Sequence, residues 1–144
     1  MGKRRVSKIA GGGADNGKRS RALAKIPKKR AEKAQLHIEA TFNNTKLSLA
    51  DQEGGVLTWS SSGSLGFAGT KKGTPFAAAK VGELLGEKAV TMGVKEAMVF
   101  IKGVGPGRES ALRAFAGKGI QLTGIHDVTP VAFNGPRPRK PRRV

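Results

Sequence analysis

An α/β domain, with a mixed five-stranded sheet packed with two helices and a basic arm at each end, is the fold class this sequence predicts. Three observations carry the prediction. Apolar and polar residues alternate in three runs between positions 36 and 60, and turn residues separate the runs. Two helix starts follow, at Thr74-Pro75 and after Gly107, with a continuous apolar run between them. The formal net charge is +17 on 144 residues, yet only +2 of it lies within positions 35–133.

The elements follow in chain order. Residues 1–34 hold 12 basic and 2 acidic residues, four large aliphatic ones (Val6, Ile9, Leu23, Ile26) and a Gly11–Gly13 run. So little apolar surface does not offset the entropy of ordering, so this arm is expected to be disordered on its own. Leu36, Ile38, Ala40 and Phe42 alternate with His37, Glu39 and Thr41, the period of a half-buried strand. Asn43-Asn44 suits a two-residue hairpin turn, because Asn tolerates positive φ. A second strand is expected at Thr45–Ala50, a turn at Asp51–Gly54 and a third strand at Gly55–Ser60, which completes an antiparallel meander. A Ser/Gly-rich loop leads to a helix that Thr74 caps and Pro75 opens. Val81, Leu84, Leu85, Ala89 and Met92 form its apolar stripe. Gly82 and Gly86 inside it imply a close neighbour. Ala97–Ile101 reads as a central strand covered on both faces. A second helix is expected at Arg108–Ala116 and a last strand within Ile120–Val128, with helical crossovers making the later pairings parallel. The closing segment, 134–144, holds 5 basic and no acidic residues, and its prolines favour an extended line of cations.

Composition removes several function classes. With no Cys there is no disulfide scaffold, Cys-based zinc site or thiol catalysis. Two His and no Tyr leave little acid–base chemistry near neutral pH. No apolar run approaches the roughly 20 residues that span a bilayer, so no membrane is expected as a partner. The basic N-terminus has no apolar stretch behind it, against a secretory signal, and Val6 stands where a myristoylation start needs Ser or Thr.

Nucleic acid is the partner that two basic arms on a neutral domain imply. Within the domain, Lys71-Lys72 precede one helix start and Arg108 opens the other, so both starts are expected to meet phosphate. Gly103–Arg108 lacks the dinucleotide spacing and has Arg108-Glu109 where a phosphate loop needs Lys and then Ser or Thr, so no cofactor or small-molecule substrate is expected. The same element order describes ribonuclease-H-like nucleases, with Glu39 and Asp127 as candidate carboxylates. Two scattered carboxylates do not make a two-metal site, however, so neither catalytic nor metal residues are assigned. His126-Asp127 are strand neighbours facing opposite ways, and His37 reads as an exposed strand position. A free-standing basic nucleic-acid-binding protein, with Pro27–Arg30 as a localisation signal, is the remaining rival.

One series of motifs resembles a known family. Ala40–Thr45, Thr58–Ser61, Gly66-Phe67, Lys72–Ala78, Gly105–Ala111 and Asp127–Pro130 occur in the order found in the eleventh protein of the small ribosomal subunit, in its bacterial or organellar form. Pro136 stands where that family usually has Cys, Phe133 where it usually has His, and the Gly-rich N-terminal arm is unusual. The resemblance implies a structural role on the platform of the small subunit, bridging central-domain rRNA helices beside the mRNA exit and the Shine–Dalgarno duplex. It implies ribosomal proteins seven, eighteen and twenty-one as neighbours and initiation factor three close by, in the cytoplasm or an organellar matrix or stroma. RNA contact is expected from Lys3, Arg4, Arg5, Lys28, Lys29 and Arg30 in the first arm. In the domain it is expected from Asn43, Asn44, Ser60, Ser61, Ser62, Gly66, Phe67, Lys71, Lys72, Thr74, Gly105, Gly107, Arg108, Ser110 and Arg113. In the last arm it falls to Asn134, Arg137, Arg139, Lys140, Arg142 and Arg143.

Overall fold

The computed structural model describes residues 16–24 and 29–143. Strands β1 (Lys33–Ala40), β2 (Thr45–Ala50) and β3 (Val56–Ser61) form the expected antiparallel meander. Leu36 and Ile38 of β1 pair with Leu49 and Leu47 of β2, all four facing inward and fully buried. Burying each is worth about 1.5–3 kcal/mol, so this register is strongly fixed.

The first turn differs from expectation. It spans four residues, Thr41–Asn44, and neither Asn takes a positive φ. Thr41 closes it instead. Its N–H donates to the Asn44 carbonyl at 2.8 Å, and its hydroxyl accepts from the Asn44 N–H at 3.1 Å. Phe42 lies in this turn, exposed, rather than in the strand pattern.

Helix α1 (Pro75–Thr91) and helix α2 (Gly107–Ala116) flank strand β4 (Glu96–Lys102), and β5 (Gln121–Asp127) ends the sheet. The strand order is β3-β2-β1-β4-β5, with β4 parallel to both β1 and β5. Thr74 caps α1 as expected, accepting from the Ala77 N–H at 3.3 Å. Gly82 explains itself at the helix–helix crossing, where a Cβ would stand 2.5 Å from the Ala111 carbonyl oxygen. Both helices lie on one face of the sheet, and the core of Val81, Leu84, Leu85, Val99 and Phe115 fills the space between.

That one-sided arrangement corrects the reading of β4 as covered on both faces. Ala97, Val99 and Ile101 are buried, while Met98 is 38% exposed and Phe100 is half-buried. Phe100 sits on the open face between His37 and His126, stacked on each, with ring centroids 5.1 and 5.5 Å away.

The N-terminal boundary is also corrected. Asn16–Ala24 form a third helix within the arm expected to be disordered, and Lys33 and Ala34 belong to β1. This N-terminal helix lies against α1, where Arg19 pairs with Glu87 at 3.2 Å and Leu23 packs against the core.

Candidate nucleic-acid interface

The site follows from strand direction. Parallel strands β1, β4 and β5 all end at one edge of the sheet, and antiparallel β2 begins there while β3 ends there. The Thr41–Asn44 turn, the loop after Ser61, the Gly103–Pro106 loop, the starts of α1 and α2 and the root of the C-terminal arm therefore converge. This is the end at which open α/β sheets gather their ligands.

Backbones interlock there. The Gly105 N–H donates to the Ala40 carbonyl at 2.9 Å, and a Cβ at Gly105 would stand 2.2 Å from the Thr41 carbonyl oxygen. A Cβ at Gly73 would stand 2.1 Å from the Phe42 carbonyl oxygen. The hairpin turn is thus held between the two helix-leading loops. Two buried oxygens at this end, Asn44 Oδ1 and Thr45 Oγ1, have no hydrogen-bond partner. Asn43 is exposed beside them.

The serine-rich loop divides into anchors and display. Ser60 and Ser62 are buried, and the Ser62 N–H donates to the Thr45 carbonyl at 3.0 Å. Phe67 is 4% exposed and meets Phe76 edge-on at 6.1 Å, while Phe76 itself is 59% exposed. Ser60, Ser62 and Phe67 thus turn inward and hold the loop in place. Half-buried Ser61 forms a turn with Ser64, whose N–H donates to the Ser61 hydroxyl at 3.2 Å. Gly66 takes a φ of 96° between the anchors. The loop displays Gly63, Ser64 and Ala68–Lys71.

Lys71 and half-buried Lys72 lie in a short 3-10 turn, Gly69–Gly73, with no acidic partner among the described residues. The Thr74 hydroxyl donates to the Lys71 carbonyl at 2.7 Å while accepting from the Ala77 N–H, so one of the N–H donors at the start of α1 is already taken. The start of α2 has Pro106 at its cap and no side-chain cap bond. Gly107 is buried there against Thr45 and Ala78. The Ser110 hydroxyl donates to the Gly107 carbonyl at 3.4 Å, and exposed Arg113 pairs with Glu109.

Arg108 turns inward instead of outward. It donates to the Gly103 carbonyl and pairs with Asp127. Asp127 Oδ1 also accepts the Thr129 hydroxyl at 2.6 Å and the Thr129 N–H at 2.9 Å. The Thr129 hydroxyl, then the Arg108 guanidinium, hold the Asp127 carboxyl well below the usual carboxylate range. Thr41, Asp127 and Thr129 were not among the expected contact residues. The signal for the last two is the Asp127-Val128-Thr129-Pro130 run, in which an acceptor precedes a hydroxyl by two residues.

From Pro130 to Arg143 the arm is exposed, including Arg137, Arg139, Lys140, Arg142 and Arg143, and Asn134 takes a φ of 49°. Lys29 and Arg30 fall at the opposite end of the sheet, near the Asp51–Gly55 turn, where Lys29 pairs with Asp51 at 2.6 Å. That end carries further pairs, Lys33–Glu96 and Lys95–Glu32. Lys3, Arg4, Arg5 and Lys28 lie outside the described residues.

Among the described residues the two carboxylates considered for nuclease chemistry stand apart. Glu39 pairs with Lys102 at 3.9 Å, Asp127 is held by Arg108, and β4 lies between the two carboxylates. Among the described residues no group of three His, Asp or Glu stands ready to hold a metal ion.

This end of the sheet thus carries two lysines with no acidic partner among the described residues and, beside them, the root of an exposed line of arginines. Comparison with known proteins gives the family. The family model described as "Ribosomal protein S11" matches residues 34–143. The "Small ribosomal subunit protein uS11" of Thermotoga maritima is 50% identical over 109 residues, 76% of this chain and 84% of that protein. Its counterpart in Paraburkholderia xenovorans is 47% identical over 131 residues, 91% of this chain and 98% of that protein. The chain belongs to the ribosomal protein S11 family, a family of ribosomal structural proteins and not of enzymes.

Proposed function

We propose that this chain is a structural constituent of the small ribosomal subunit that binds the central domain of its rRNA at the platform. There it bridges rRNA helices and lines the mRNA exit and the cleft for the Shine–Dalgarno duplex. Ribosomal proteins seven, eighteen and twenty-one are its proposed neighbours, and initiation factor three a proposed visitor. The ribosome holding it is cytoplasmic or organellar. The sheet order β3-β2-β1-β4-β5, with a meander and two parallel additions, supports a ribonuclease-H-like topology carrying no nuclease site.

The observation that carries this reading is the convergence of two helix starts, three loops and the root of a basic arm at one end of the sheet. The domain supplies shape and the arm supplies affinity. Arginines strung along a proline-rich chain track a phosphate backbone and release its counterions, while the loops fix register by contacts that need little base readout.

Salt dependence tests it. With Arg137, Arg139, Lys140, Arg142 and Arg143 all changed to Gln, the slope of log affinity against log salt for a central-domain rRNA fragment should fall by about 3.5–4.5. Equal slopes for the variant and the parent chain would remove the arm from the interface.

A further inference from the structure

The root of the C-terminal arm is fastened before the arm leaves the domain. The Val128 N–H donates to the Ile101 carbonyl at 2.9 Å, which extends β5 by one residue. The next residue, Thr129, is held from two sides. Its hydroxyl accepts from the Gly103 N–H at 3.2 Å and donates to Asp127 Oδ1 at 2.6 Å. Arg108 closes the arrangement with one amino group on the Gly103 carbonyl, within 3.4 Å of the Thr129 hydroxyl, and the other on Asp127 Oδ2. Pro130 then restricts Thr129 to extended backbone.

We propose that Arg108 is a positioning residue, not a phosphate contact: with Asp127 and Thr129 it forms a clamp that fixes the direction in which the C-terminal arm leaves beside the start of α2. The proposal rests on the RNA-binding reading of that arm. The guanidinium fork is already spent on a carbonyl and a carboxylate of its own chain. The clamp matters through distance. Arg137 is eight residues beyond Thr129, a reach of up to about 25 Å for an extended chain. A small swing at the root therefore spreads the arginines over a large volume and lowers their effective concentration at the phosphates.

Asp127→Asn separates this from simple electrostatics, because the two predict opposite signs. The substitution keeps shape and removes a negative charge near a polyanion, so charge alone predicts tighter binding. The clamp predicts about threefold to tenfold weaker binding of the full chain to the rRNA fragment. Arg108→Lys, which keeps the charge and loses the fork, should weaken binding as much. In the chain whose five arm cations are Gln, Asp127→Asn should produce no loss. Hydrogen exchange on the free protein gives a second readout, since the Gly103 N–H should lose protection in Asp127→Asn and in Thr129→Val while the core amides keep theirs. Tighter binding by Asp127→Asn, unchanged binding by Arg108→Lys, or a loss that persists in the arm-neutral chain would each overturn the clamp. If the parent chain does not bind the fragment at all, the RNA reading itself falls.

Discussion

Lys88 lies on α1 beneath β3, 4% exposed, with its Nζ 3.4 Å from the Thr58 hydroxyl. Burial lowers its pKa from the ordinary lysine value. The sign of the linkage follows. Between the lowered folded value and the ordinary value near 10.4, the unfolded chain binds more protons than the folded one, so stability rises with pH across that window. Lys88→Met should remove the buried charge, raise stability by about 1 kcal/mol, or roughly 2–4 °C in melting temperature, and abolish that rise. Thermal melts from pH 7 to 10 check both effects, and an unchanged or lower melting temperature would show that the ammonium is better solvated than its burial implies. Single residues were the least legible part of the sequence. Ser60, Ser62 and Phe67 share a loop with Ser61 and Gly66, yet they turn inward because Phe67 docks on the core and Ser62 bonds to β2. Composition marks such a loop as functional but does not say which of its side chains anchor it. Arg108 is captured by acceptors from Gly103 and Asp127, the latter 19 residues away, which its place at the start of α2 does not reveal.

At the scale of elements, the meander, both crossover helices and the Thr74 cap were legible because period, cap chemistry and turn residues agree locally. The exceptions each depend on a distant partner. The Ala97–Ile101 run looks buried on both faces, but Phe100 owes its place on the open face to His37 and His126, contributed by two other strands. The N-terminal helix depends on Glu83, Glu87 and the core surface at α1, so its nine polar-rich residues carry no sign of order by themselves. Gly82 shows the same principle with a measurable sign. In an exposed helix, Gly→Ala would gain about 1 kcal/mol. Here the added methyl would press against the Ala111 carbonyl and the Ala114 methyl of α2. Gly82→Ala should therefore cost about 1–3 kcal/mol through overpacking, as urea denaturation would show. A gain in stability would mean that α1 and α2 are not held as closely as the fold requires.

For the whole molecule, the charge of +17 is a statement about place. At the end of the sheet holding Lys29, Arg30, Lys33 and Lys95, three of the four cations pair, with Asp51, Glu96 and Glu32. At the other end Lys71, Lys72 and the arm cations have no acidic partner among the described residues, and the acids present, Glu109 and Asp127, are taken by Arg113 and Arg108. The domain thus has one end whose cations are mostly paired and, on the proposed reading, one end that meets a polyanion. The chain contains no Cys, so a single introduced Cys can carry a tethered iron chelate at a known position. Probes at Asn43 and Lys71 should cut small-subunit rRNA strongly in reconstituted particles, while probes at Glu53 and Lys95 should cut it weakly. Equal cutting from both ends, or stronger cutting from Glu53 and Lys95, would contradict the assignment of the RNA interface to the carboxyl end of the sheet.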